Sequence, residues 1–248
     1  MGDLQERLSD LKIEYLEQHN KRKEEKGEDD PRTWYWYMDD HRFFAVCSYV
    51  LDHDVQGFID HMKQVVHYQN KMLDKRDAGE YPEDYEFVSA PAFDKIFETL
   101  CTQDLDLIKN IVKRFLNINL KKTGPLAKHC HKAFRLFILG QDGTRADLND
   151  MEIIFAKRLK SYVGYALCFQ AIYDHDKEKF LSGFATMIKG HKRLSTPQGI
   201  FGGTVDEVIA FWPLAVVNLA RFKGLDVMVD YPLVPKELIT KQLGGLYD

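Results

Sequence analysis

The sequence predicts an all-α protein, a single domain over residues 1–248 made of about nine helices in antiparallel hairpins, with at most one short extended segment near the C-terminus. Three observations predict it. Apolar residues recur at three- and four-residue spacing along almost the whole chain. Strict alternation, the mark of a half-buried strand, is confined to a few residues after Gly224. Helical patterns also break at compact Asp-x-Asp turns, which are so short that the helices they join must run nearly antiparallel.

Taken in order, Leu4, Leu8, Leu11, Tyr15 and Leu16 form one stripe, opened by Asp3 as N-cap and ended by the polar run KRKEEKGEDDP at 21–31. A second helix starts near Thr33 and carries WYWYMDDHRFFAVCSYVL, whose apolar residues circle more than one face from Phe43 onward, as in a central buried helix. From Asp54 to about Ala78, Phe58, Met62, Val65, Val66, Gln69, Met72 and Leu73 give a long amphipathic helix. AGEYPEDYEFVSAP, 78–91, is the clearest break and the place where the chain could subdivide. Shorter helices follow at 92–101, 104–117 and 126–139, then the capping-rich loop GQDGTRADLND at 140–150. Three more run from Met151 to Tyr173, Asp176 to His191 and Thr204 to Lys223.

The Asp-x-Asp echo occurs at DHDVQGFID from Asp52, DLDLIKNIV from Asp104 and DHDKEKFLS from Asp174. In each, the second aspartate is expected to accept hydrogen bonds from free amides at the start of the next helix and to complement its dipole. The spacing is too irregular for a solenoid.

The 45% hydrophobic and 29% charged residues are those of a soluble globular protein. No apolar run reaches the roughly 20 residues that span a bilayer, and the amphipathic N-terminus is not a signal sequence, so a cytoplasmic protein is expected. Cys47, Cys101, Cys130 and Cys168 are widely spaced among apolar neighbours and read as reduced core thiols. A net charge of −4 offers no broad attraction to nucleic acid.

Catalytic and metal patterns are weak. His129 and His131 point about 200° apart on a helix and cannot converge on one ion. His53 and His175 sit in DHD turns that capping explains without chemistry. GIFGGT, 199–204, lacks the lysine and preceding strand of a phosphate cradle. No catalytic residue, cofactor or metal is expected. Binding is better served. Glu24, Glu25, Glu28, Asp29 and Asp30, together with Asp77, Glu80, Glu83, Asp84 and Glu86, can present negative charge to a basic partner. Trp34 and Trp36 belong to an aromatic block, 34–37, that cannot turn every ring inward; exposed rings of this kind anchor interfaces, and burial under the N-terminal helix is the equal alternative.

The helix containing FWPLAVVNLARFKG, 211–224, followed by LDVMVDYPLVPKELI, resembles the close of bacterial immunity proteins of the immunity protein 49 family. The matching residues are Leu219, Ala220, Arg221, Gly224, Leu225, Val227, Asp230, Tyr231, Leu233, Pro235 and Leu238. The match covers about the last forty residues; Pro213, inside the helix, and Pro232, which shifts the proline spacing, depart from it. The resemblance implies a cytosolic, non-enzymatic protein that neutralises a cognate toxin by direct contact. An acidic surface would suit a nuclease or other toxin with a basic groove, where carboxylates stand in for phosphates; neither nucleic acid nor a membrane is expected as a direct partner. In this ending Gly224 reads as a left-handed helix stop and Pro235 as the opening of a last helix. Two other readings stay open: a helical-hairpin scaffold that binds peptides, and an enzyme whose pocket gathers His41, His61 or His131 with carboxylates.

Overall fold

The computed structural model describes residues 2–31, 33–80, 93–115, 124–141 and 143–246. It is all-α, 73% helical, with ten α-helices among the described residues. The chain divides into two compact units, residues 1–90 and 91–248, and the boundary falls inside the 78–91 segment.

Unit 1 contains α1 (Gly2–Lys26), α2 (Trp34–Val50) and α3 (Val55–Asp77). α1 starts at Gly2, ahead of the Asp3 expected to cap it. Its inward stripe also differs from the expected one: Leu4 and Leu16 are exposed, and the buried line runs through Leu8, half-buried Leu11 and Tyr15, and then His19. Tyr15 stacks on Phe43 with ring centroids 4.1 Å apart. Polar side chains continue the stripe because α2 presents a carboxylate to them.

α2 is buried on most sides, as its encircling apolar pattern requires. The turn to α3 places His53 at φ +53°, and Asp54 caps α3 by accepting from the amide of Gly57 at 2.8 Å. α3 buries the anticipated stripe and adds Tyr68 to it.

Unit 2 holds α4 (Phe93–Leu100), α5 (Leu105–Phe115), α6 (Pro125–Leu139), α7 (Arg145–Arg158), α8 (Val163–Tyr173), α9 (Lys177–Leu194) and α10 (Phe211–Phe222). The single helix expected over 151–173 is two. α7 begins earlier, where Thr144 and Asp147 cap each other's amides in a capping box. It ends at Leu159, followed by a 3-10 turn, Lys160–Tyr162. The break re-aims α8 so that its backbone meets α9. A Cβ on Gly164 would lie 2.1 Å from the amide nitrogen of Met187, and one on Gly190 would lie 1.9 Å from the carbonyl oxygen of Ser161.

The helix expected over 204–223 also divides, into a 3-10 turn at Val205–Glu207 and α10. Pro213 then falls in the first turn of α10, where its missing donor is harmless. All twelve residues of α10 are buried, so this helix is the core of unit 2. Of the three Asp turns, those before α3 and α9 cap with the second aspartate, whereas α5 is capped by Asp104, the first of its pair, which accepts from Leu107. The cause is where the left-handed residue lies: Gln103, at φ +58°, comes directly before Asp104.

The C-terminal segment is fastened to α10. Gly224, at φ +82°, ends the helix in a Schellman arrangement, with the Leu225 amide donating to Ala220 and the Gly224 amide to Arg221. Val227 and Val229 are buried and Met228 is exposed, the alternation of an extended return. Tyr231 and Val234 then pair in a tight turn with Pro232 at its second position, which accounts for that proline. The last helix expected after Pro235 is a single 3-10 turn, Lys236–Leu238.

Candidate functional site

The charge of the chain is divided unequally. Residues 1–90 hold 21 aspartates and glutamates against 12 lysines and arginines, a formal charge of −9; residues 91–248 hold 17 against 22, or +5. The whole-chain value of −4 hides this.

Within unit 1 a polar network lies among α1, α2 and α3. Asp40, only 2% exposed, accepts from Arg22 at 2.8 Å on both carboxylate oxygens, and its Oδ2 meets Nδ1 of His19 at 2.9 Å. Arg22 also lies over the ring of Trp36, 5.7 Å from its centroid. Beside this, Nδ1 of His41 meets Nδ1 of His61 at 3.0 Å, and the two rings are half-buried. His41 packs edge-on to His19 and stacks on Tyr68. Burial holds the pKa of both His41 and His61 below the usual imidazole range, with the neighbouring histidines adding to it; that of His41 is pushed down to about 3.

The acidic stretch 24–30 is tied to this network. The Tyr68 hydroxyl donates to Glu28 at 2.9 Å, the Trp34 indole to the Glu28 carbonyl at 3.0 Å, and Lys71 to Asp29 at 2.8 Å. Lys23 approaches Glu28 at 3.4 Å. The bond from Tyr68 is the main cause that holds Glu28 below the ordinary carboxylate range.

The structure sorts the residues singled out from sequence. Glu24, Glu25, Glu28 and Asp29 are exposed, Asp30 is half-buried, and Asp77 and Glu80 are exposed at the C-terminal end of α3. These last two pair with Arg76 and Lys75. Glu83, Asp84 and Glu86 lie outside the described residues. Trp36 is 52% exposed and Tyr35 36%, whereas Trp34, expected at a binding surface, is a core residue at 3% because its indole is drawn in to the Glu28 carbonyl. Of the histidines proposed for a pocket, His41 and His61 meet in unit 1, while His131 is fully buried in α6 of unit 2. Sequence reading missed Asp40, His19 and Arg22 as a network. The available signal was a charged residue, Asp40, in register with the buried residues Tyr37, Phe44 and Cys47 of α2.

Elsewhere the sequence motifs resolve into packing. His129 and His131 do not converge, and among the described residues no group of three or more ligand-type side chains is placed to hold a metal. The GIFGGT loop folds back on α9, the Phe201 amide donating to Leu194 and its ring stacking on His191 at 4.6 Å. All four cysteines are buried free thiols, and burial raises the pKa of Cys47 to about 11. No helix among the described residues is long and apolar enough to cross a membrane.

Arg221, one of the residues that carry the resemblance, is a structural fastener. Arg221, 6% exposed, donates to the carbonyls of Thr240 (2.7 Å), Val227 (3.0 Å) and Lys241 (3.3 Å) and pairs with Asp226. Asn218 holds Thr240 to the end of α4 by donating to Leu100 and accepting from the Thr240 amide. No family model, curated protein or solved structure matches the chain, so its function has to be argued from its own residues.

Proposed function

We propose that the chain is an immunity protein, a non-enzymatic binder that neutralises a cognate bacterial toxin by direct contact at the acidic end of unit 1. One observation carries the reading: a strongly acidic unit exposes Trp36 and Tyr35 as well as the carboxylates Glu24, Glu25 and Asp29, with Trp36 lying against Arg22 and the 28–29 turn held by Trp34, Tyr68 and Lys71. A surface already fixed loses little conformational entropy on binding. Exposed tryptophan supplies an anchor of the kind that dominates interface energies. Carboxylates steer a basic partner and can occupy a groove made for phosphates. The partner that fits is a toxin domain with a basic groove, such as a nuclease. The resemblance of residues 211–239 to the immunity protein 49 family supports the class.

The test is co-expression of the toxin domain encoded in the neighbouring reading frame, with and without this chain. Survival only in its presence is the expected result; equal death in both cultures overturns the reading for that pair. A second reading, an enzyme, is favoured by the half-buried His41–His61 pair, since two adjacent imidazoles can pass a proton between them. A His61→Gln chain that folds and binds the toxin yet no longer protects would favour catalysis; one that still protects favours binding.

A further inference from the structure

We infer that the contact between His41 and His61 is an acid-released latch, which joins α2 to α3 near neutral pH and lets unit 1 loosen when both rings take up a proton. The inference concerns unit 1 alone and stands whether or not the chain binds a toxin. Two Nδ1 atoms 3.0 Å apart can share one hydrogen: one ring donates and the other accepts, so at neutrality the two rings hold opposite tautomers. A proton on each Nδ1 would set two N–H groups and two positive charges against each other, and the contact must open.

The groups facing the pair do not supply enough negative charge to prevent this. From α1 come His19, Lys12 and Lys23, all opposing protonation, and Arg22 is committed to Asp40. Lys12 pairs with Asp52 and Lys23 with Glu28. From α3 and its cap, Asp60 and Asp54 favour a charge on His61, and Glu28 favours one on His41. Burial outweighs these carboxylates for both rings, in keeping with their lowered pKa values.

A histidine kept neutral in the fold contributes stability that is fully present above its unfolded pKa, about 6.5, and is lost as pH falls below it. For each such histidine the folded-to-open ratio drops by up to about tenfold per pH unit. The latch therefore works in the window from about 6.5 down towards the folded values. The same three helices hold Glu28 and Trp36, so the exposed corner of unit 1 loosens with it.

The experiment is amide hydrogen exchange on the full chain from pH 7.5 to 5.0, corrected for the intrinsic pH dependence of exchange and read in peptides from α2 and α3. Protection in the wild type is expected to fall steeply below pH 6.5. In His61→Gln, which keeps a hydrogen-bonding amide opposite the His41 ring and removes one titrating group, the fall is expected to be shallower by up to about tenfold per pH unit. An unchanged slope in a folded variant overturns the latch. Should His61→Gln lack protection even at pH 7.5, nitrogen NMR of the wild-type imidazoles decides the matter. Opposite tautomers that stay neutral at pH 6 support the latch; two rings titrating near 6.5 overturn it.

Discussion

Unit 1 and unit 2 each bury charge, but against different partners. In unit 2 the guanidinium of Arg221 is met mainly by backbone carbonyls, which do not titrate, and the result is a fixed fastener for the C-terminal segment. In unit 1 the buried carboxylate of Asp40 is met by Arg22 and His19, and the His41–His61 pair lies beside it. One arrangement draws mainly on groups that do not titrate; the other connects titratable groups to an exposed aromatic ring through Arg22. The contrast separates a unit whose buried charge is met mainly by backbone groups from one whose buried charge is met by titratable side chains.

Removing each buried charge partner should break one unit while leaving the other intact, as read by hydrogen exchange on the full chain, where the two units report separately. Asp40→Ala has the largest expected effect, about 3–5 kcal/mol lost from unit 1, because it leaves Arg22 and His19 facing a buried site without their carboxylate. Arg221→Ala follows at about 3 kcal/mol in unit 2, since the carbonyls of Thr240 and Val227 lose charged donors and the tail after Gly224 is released. If either substitution lowers protection equally in both units, the separation fails.

Gly164→Ala sharpens the comparison from the backbone side. A methyl group there meets the main chain of Met187 and should cost unit 2 about 1–3 kcal/mol through a forced shift between α8 and α9. The smallest expected effect on folding is that of Trp36→Ala. Its ring is half exposed, so stability should change by less than about 0.5 kcal/mol, while binding to the proposed toxin partner should weaken by about 2 kcal/mol or more. Equal losses in stability and binding would make Trp36 a packing residue like Trp34.

Much of the fold was legible because helical periodicity is a local signal. α3 and its buried face can be read directly from the spacing of Phe58, Met62, Val65, Met72 and Leu73. Where tertiary contact decides, the reading ran over boundaries: nothing local separates α7 from α8, because the break at Leu159 serves a close approach at Gly164 and Gly190 between segments distant in sequence. The candidate site was partly legible. Exposure of Trp36 and burial of Trp34 could not be told apart from a run of four aromatics, since the choice depends on the Glu28 carbonyl. The Asp40 network joins residues on two helices and leaves only the trace of a charge inside an apolar pattern. The division of charge between −9 and +5 was present in the sequence throughout, and becomes visible once the boundary at 90 is known.

The measurement that tests the central claim most directly is the association rate of the full chain with the toxin domain proposed as its partner, as a function of salt, for the wild type and for Glu24→Lys, Glu25→Lys and Asp29→Lys combined. If the acidic end of unit 1 receives the partner, the triple variant associates at least about tenfold more slowly at low salt and its salt dependence flattens or reverses. Wild-type rates with the same salt dependence in a folded triple variant would contradict the assignment of binding to this surface.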